Sequence, residues 1–325
     1  MTSDYLPIAS NKLLEARGSL LARVRDFFAR RQFVEVETPI LSAEIVVDRH
    51  LDPLTTTLYL DARAPERGPT MYLQTSPEFA MKRLLAAGMT AIYQITRAFR
   101  AGEVGPLHNP EFTMVEWYRV RDGYAEGRQL LADFFEHFYQ SGVARERTYA
   151  DAFLEHVGVD PHRATLQELA GAANAHRVVA PASLGEDRDA WLELLFTERV
   201  QPKLGRPGAT IIYDYPATQA ALAKVREGNP PVAERFEMFY QGVELANGYH
   251  ELTDAAALRA RNQAQNAARL RDGKRALPEE SRLLAAMDAG LPAGCGVALG
   301  FDRAVMLAAG AQCIQDVMAF PIERA

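Results

Sequence analysis

Glu111-Phe112-Thr113-Met114-Val115-Glu116-Trp117-Tyr118 is the stretch from which the fold of this chain is read. Side chains alternate across a β-strand, so Phe112, Met114, Glu116 and Tyr118 share one face and Thr113, Val115 and Trp117 the other. An aromatic plane, a carboxylate and a phenol together are an unusual set for a core. A half-exposed sheet with a surface ion pair would account for them equally well. The strand before it, Ile92 to Arg100, ends in a cation that antiparallel pairing would bring towards that face. A guanidinium suits phosphate because its planar fork donates two hydrogen bonds at once. The connection, Ala101 to Glu111, is long for a hairpin, and long loops inside compact domains are often functional.

Towards the N-terminus, Ser10 is placed to cap a helix whose apolar positions Leu13, Leu14, Leu20, Leu21, Val24, Phe27 and Phe28 form one stripe, with arginines on the other face. Phe33 to Glu37 alternates as a strand and stops at Pro39, which cannot donate to a ladder. Met71 to Gln74 is extended. Ser76-Pro77-Glu78 then reads as N-cap, N1 proline and acidic first turn of a helix closed by Gly88. Towards the C-terminus, residues 125–207 read as mostly helical. Thr210 to Asp214 and Val232 to Gly248 look like strands, Asp254 opens an alanine-rich helix, and Gly296 to Leu299 leads through Gly300 into a last helix from about Arg303. Separated antiparallel strands flanked by helices predict an α+β fold rather than alternating βαβ units.

Composition bounds the function. A chain of 325 residues with 48% apolar side chains can bury one large core. Its net charge of -6, with the first 110 residues close to balance, disfavours broad tRNA or DNA binding. Cys295 and Cys313 lack the spacing of a disulfide framework or a zinc site and fit a reduced cytoplasm. Met1 to Ser10 has no leader pattern and no run reaches membrane-span length, so a soluble, unprocessed protein is expected.

Three further groups could carry chemistry. Glu237, Glu244 and Glu251 recur at intervals of seven through a segment containing Gly242 and Gly248, where the chain can bend. Mg²⁺ takes one or two carboxylates plus phosphate oxygens, although spacing alone favours a solvated strand face. Gly294 to Arg303 puts small residues on a strand before a helix, where a ligand can approach backbone and Arg303 adds charge at an anion-binding end. A tight turn is the usual explanation of such a stretch. His108 and Asn109 are either phosphate contacts or loop polar groups, and Ser76 and Glu78 have a structural task in starting their helix.

Together these pieces resemble the three signature motifs of class II aminoacyl-tRNA synthetases, in order. Phe33-Val34-Glu35-Val36-Glu37-Thr38-Pro39 resembles motif 1, Phe99-Arg100 with His108-Asn109-Pro110-Glu111-Phe112-Thr113 resembles motif 2, and Gly300-Phe301-Asp302-Arg303 resembles motif 3. The strand Glu111 to Tyr118 and Glu244-Leu245-Ala246-Asn247-Gly248 narrow the resemblance to the lysyl branch, from about Leu13 to the C-terminus. Only about thirty residues precede motif 1. The expectation is therefore a single catalytic domain over 1–325, with a mostly helical insertion at about 125–207 and no anticodon-binding domain. A shortened form of this kind is similar to the ligases that attach (R)-β-lysine to a lysine side chain of elongation factor P. Thr75-Ser76-Pro77-Glu78 resembles their pattern, where synthetases usually have Ala before the Pro, and Ala298 stands where synthetases usually have Gly.

By position, the resemblance implies ATP and Mg²⁺, with Phe112 stacked on adenine, Arg100 and Arg303 on the phosphates, His108 at the outer phosphates and Glu237 and Glu244 on the metal. Glu103, Asn109, Leu245 and Gly300 would also meet the nucleotide. Glu78 would take the backbone-side amine of lysine; Glu116, Tyr118 and Glu251 the distal ammonium; Asn247 the carboxylate; Ser76 and Ala298 would line the same pocket. Arg100, Arg303 and Glu244 would carry catalysis. The resemblance also implies a homodimer built on motif 1, elongation factor P as partner, and no tRNA. Ala101-Gly102 departs from the family's common Asn-Glu, whose Glu touches the adenine amino group, and Leu107 replaces a frequent phosphate-binding Arg. Two other functions remain in competition: a free-standing synthetase charging tRNA or a small acceptor, and a non-catalytic paralogue that senses amino acid or nucleotide.

Overall fold

The computed structural model describes residues 5–140 and 142–325, so the expectation for the leader falls in part, at residues 1–4, outside the described residues. The chain forms two compact units, Met1–Arg121 with Leu252–Ala325, and Asp122–Glu251.

The first unit opens with α1 (Asn11–Ala29), whose cap Ser10 accepts the Leu13 amide at 3.4 Å. Its stripe buries Phe27 and Phe28 completely, and Phe28 stacks on Tyr93 with ring centroids 4.3 Å apart. The strand expected over 33–37 shrinks to β1 (Val34–Glu35). The extended chain after it still donates from Val36 to the Tyr93 carbonyl, but Pro39 has no N–H to continue a ladder. A small sheet follows, ordered β2 (Leu41–Ser42), β4 (Thr70–Leu73), β3 (Thr55–Thr57).

The start of α2 (Glu78–Ala86) corrects the capping expectation. Pro77 occupies the cap position, and the Ser76 hydroxyl accepts the Glu78 amide at 3.0 Å as a local turn. β5 (Ala91–Phe99) then pairs parallel with β1 and antiparallel with β6 (Glu111–Val120), in register from Ala91 opposite Arg119 to Phe99 opposite Glu111. Every residue of β6 from Thr113 to Tyr118 is buried. A half-exposed sheet is thereby excluded, and the carboxylate of Glu116 lies in the interior.

The second unit contains α3 (Tyr124–Tyr139), β7 (Arg145–Thr148), α4 (Tyr149–Val157), α5 (Leu166–Ala175), α6 (Arg188–Leu195), β8 (Thr210–Pro216), β9 (Val225–Arg226), β10 (Val232–Tyr240) and β11 (Val243–His250). Tyr149 and Phe196 stack at 5.0 Å in the core that packs the helices against Tyr215 and Phe239. The run 232–248 is not one strand. Gln241 and Gly242 take φ of 52° and 81°, the left-handed pair a two-residue hairpin turn requires, and β10 folds back on β11. Glu237 consequently faces Asn247 across the ladder.

The first unit resumes with α7 (Ala255–Arg271), capped by Asp254 through the Ala256 and Ala257 amides, then α8 (Arg282–Gly290), β12 (Gly294–Gly300) and α9 (Phe301–Ala308). β12 lies antiparallel on β6, with Ala298 opposite Glu116 and Gly300 opposite Met114. Gly294 permits this approach, since a Cβ there would sit 2.5 Å from the Arg119 carbonyl oxygen. The last helix begins two residues before Arg303 and not at it, which places Arg303 inside the first turn. Among the described residues no helix is long and apolar enough to cross a membrane.

Candidate active site

In the first unit, the residues expected at a nucleotide come together around the loop between β5 and β6. Arg100 closes that loop by donating its amide to the Pro110 carbonyl at 2.9 Å, and its guanidinium carbon lies 5.0 Å from the centre of the Phe112 ring. Glu103 stands 3.7 Å from Arg100. Arg303 reaches in from α9, donating to the Leu107 carbonyl at 3.2 Å and to His108 Nε2 at 2.7 Å. A guanidinium has no acceptor, so His108 Nε2 must carry a lone pair. Burial first, then Arg303, hold the His108 pKa below its ordinary value and keep the ring neutral. Two guanidiniums, a neutral imidazole and an aromatic face thus converge on one edge, an arrangement suited to phosphate and a purine.

The loop is held at both ends. Ala101 donates to the Asp52 carbonyl at 2.7 Å, while the Gly105 and Pro106 carbonyls accept from the Gln315 side chain at 3.0 Å and the Ile314 amide at 2.9 Å. Gly102 takes φ +77°, and a Cβ there would meet nothing within 4 Å. Glycine suits that turn, and no side chain is available there to meet an adenine amino group. Asn109 takes the second of the two roles read for it, a polar group that holds the loop. It is 3% exposed and spends its amide on the loop, donating to the Glu111 carbonyl and accepting from the Ile322 amide. Gly300 caps α9 and can offer only backbone.

The geometry also adds two residues for which the sequence reading had no role. Asp302, 2% exposed, accepts the Thr113 amide at 2.6 Å and pairs with Arg17 at 2.7 Å; Arg17 in turn donates to the Thr113 hydroxyl at 2.9 Å. Arg17 departs from the expectation that the arginines of α1 fill its outer face. It points inwards because a buried carboxylate and the face of Phe301, 4.9 Å away, receive it. Helical periodicity could not separate it from its neighbours.

The second cluster of the first unit is acidic. Glu116 is 1% exposed and accepts from the Ser76 hydroxyl at 2.7 Å and from the Tyr118 hydroxyl at 2.5 Å. Glu78, at the start of α2, pairs with the buried Lys82 at 2.5 Å. Burial, and after it the neighbouring Glu78 charge, push the Glu116 pKa up to about 8. Both oxygens are hydrogen-bonded, and among the described residues no cation bonds to either, although the Lys82 charge offsets part of the rise; the site favours a ligand that brings a cation.

In the second unit, the β10–β11 hairpin gathers the other acidic residues. Glu237 is buried, accepts the Tyr215 hydroxyl at 2.6 Å and forms an ion pair with Arg235. Burial raises its pKa, Arg235 opposes the rise, and the Glu244 charge adds to it. Each carboxylate oxygen of Glu237 therefore keeps a further lone pair, and Glu244 lies near enough to be felt. Two adjacent carboxylates fit Mg²⁺ bound mainly through phosphate; no cluster of three or more His, Cys, Asp or Glu suited to a metal occurs among the described residues. Asn247 donates to the Tyr249 hydroxyl at 2.9 Å, Glu251 is buried, and Leu245 turns its side chain into the core, leaving only backbone for a ligand.

This fold and these clusters define an ATP-dependent aminoacid-activating enzyme, and the chain belongs to the class II aminoacyl-tRNA synthetase family. Residues 4–324 match the model for "tRNA synthetases class II (D, K and N)". Among curated proteins, the chain is 45% identical over 323 residues to the "Elongation factor P--(R)-beta-lysine ligase" of Vibrio cholerae, covering 99% of both chains. It is 44% identical to the protein of the same name from Salmonella typhi, over 100% of this chain and 99% of that one. The protein so named from Vibrio parahaemolyticus is 43% identical over 99% of both.

Proposed function

We propose that this enzyme activates lysine, in the form of (R)-β-lysine, as an aminoacyl adenylate and transfers it to a lysine side chain of elongation factor P. The observation that carries this reading is the distribution along β6. Phe112, beneath Arg100, and Glu116, hydrogen-bonded but with no cation bonded to it among the described residues, lie on one strand face four residues apart, about 13 Å. That spacing suits an extended aminoacyl adenylate, with its base at one end and an ammonium at the other.

In the first step a carboxylate oxygen of the amino acid attacks the α-phosphorus, the phosphorus–oxygen bond to pyrophosphate breaks, and pyrophosphate leaves. Arg100 and Arg303 stabilise the charge that spreads over the phosphate oxygens, and fixed donors do this without reorganising. His108, neutral, is free to donate through Nδ1 to an outer phosphate. Glu237 and Glu244 would hold Mg²⁺, which supplies further neutralisation of the phosphates when bound. Glu78 receives the backbone-side amine, Glu116, Tyr118 and Glu251 the distal ammonium, and Asn247 the carboxylate. In the second step the neutral amine of the acceptor lysine attacks the carbonyl carbon and AMP leaves with the carbon–oxygen bond electrons. The relatives' name supports elongation factor P as acceptor.

We place the enzyme in the cytoplasm, a reading that rests on the spacing of Cys295 and Cys313, which is not that of a disulfide framework. It works as a homodimer through the motif 1 region without tRNA, and a single catalytic domain spans 1–325. Val34 and Ile40 there are 51% and 39% exposed, apolar surface of the kind a subunit interface covers. Mass spectrometry of elongation factor P after incubation with enzyme, ATP, Mg²⁺ and each lysine isomer tests the proposal. A gain of one lysyl unit with (R)-β-lysine is expected; no gain with either isomer would refute it.

A further inference from the structure

Lys82 is 1% exposed, and a lysine is almost never buried to that degree unless paired. It lies one helical turn beyond Glu78, with its ammonium 2.5 Å from Glu78 Oε1 and 5.9 Å from the centre of the Tyr118 ring. The two carboxylates of this cluster therefore differ in condition. Glu78 already holds a cation, whereas among the described residues the oxygens of Glu116 accept only the neutral hydroxyls of Ser76 and Tyr118.

We propose that Lys82 is the positioning residue of the amino acid pocket. Its bond to Oε1 fixes the Glu78 side chain and directs Oε2, which has no protein donor among the described residues, towards the ligand amine. It also sets the charge. With Glu78 and Glu116 both ionised, Lys82 lowers the net negative charge of these three groups from two to one. Without Lys82, Glu78 becomes a second buried carboxylate lacking a cation, and repulsion between the two drives one of them to protonate or turn away. The nucleotide cluster of Arg100, His108 and Arg303 contains none of these groups, so its function is left intact.

The inference rests on reading this cluster as the lysine site, and the test separates the two. Lys82→Gln keeps a neutral donor one atom shorter and removes the charge, and Lys82→Met removes charge and donor together. Pyrophosphate exchange by the full chain is measured with the amino acid and ATP varied in turn. For both variants the amino acid KM is expected to rise at least about tenfold while the ATP KM stays within about twofold. Should Lys82→Met fail to fold, Lys82→Gln decides alone. An unchanged amino acid KM in Lys82→Gln, or parallel rises in both KM values, overturns the role of Lys82. A wild-type enzyme with no lysine-dependent exchange overturns instead the reading of the site.

Discussion

The Asp302 carboxylate accepts the backbone amide of Thr113 at 2.6 Å, and this single bond ties the helix bearing Arg303 to the strand bearing Phe112. Arg17 completes the tie from a third element, α1. Asp302, Thr113 and Arg17 thus hold in place the neighbours proposed to do the chemistry.

Replacing Asp302 by Ala leaves Arg17 and the Thr113 amide buried without their acceptor. Removing one partner of a buried pair costs about 3 to 5 kcal/mol, so a clear fall in melting temperature is expected. Asp302→Asn retains an acceptor for the amide and should lose less. Calorimetry of both variants checks the order, and equal melting to wild type in Asp302→Ala would contradict it.

Arg303→Lys preserves charge but cannot reach Leu107 and His108 together. The loss of a charged hydrogen bond, about 1.5 to 3 kcal/mol, corresponds to roughly 10- to 150-fold in pyrophosphate exchange. ATP-dependent exchange measured at saturating amino acid reads this directly.

Glu116, with its pKa raised to about 8, makes two pH predictions. Because the folded state holds this proton more tightly than the unfolded chain, its contribution to stability is complete below the ordinary glutamate pKa. That contribution is lost as pH rises towards about 8. Glu116→Gln should therefore melt above wild type at pH 8 and above, but not at pH near 4. Ligand binding works against the same proton: an arriving ammonium favours the carboxylate, so lysine binding near neutrality should release a proton. Titration calorimetry at pH 7 in buffers of different ionisation heat detects the release, which Glu116→Gln abolishes.

Ala298 faces Glu116 across the β6–β12 ladder, so its methyl narrows the pocket on the carboxylate's own face. One methyl-sized change is worth about 1 to 3 kcal/mol of discrimination. Ala298→Gly is expected to shift preference from (R)-β-lysine towards α-lysine, read by pyrophosphate exchange on both isomers; an unaltered ratio would count against it.

Glu244→Gln takes one carboxylate from the proposed metal pair. The Mg²⁺ concentration for half-maximal exchange should rise several-fold, with the melting temperature close to wild type because Glu244 is only partly buried.

The residues proposed to meet ligands could be picked out from the chain alone because chemistry of their kind is written in residue type and local order. Arg100, His108, Phe112, Glu116 and Arg303 sit in short motifs, and a period of two was enough to put Phe112 and Glu116 on one face. The antiparallel pairing of β5 with β6 and the cap at Ser10 follow from equally local rules. Tertiary structure alone decided what those groups touch. Asp302 and Arg17 meet across 285 positions less than 3 Å apart, Lys82 is buried against Glu78, and Asn109 turns its amide into the loop. The bend that Gly242 permits is a two-residue hairpin turn, with Gln241 beside it also at positive φ. Such pairings depend on which elements the folded core brings together, and burial, which sets charge and pKa, belongs to no short stretch of sequence.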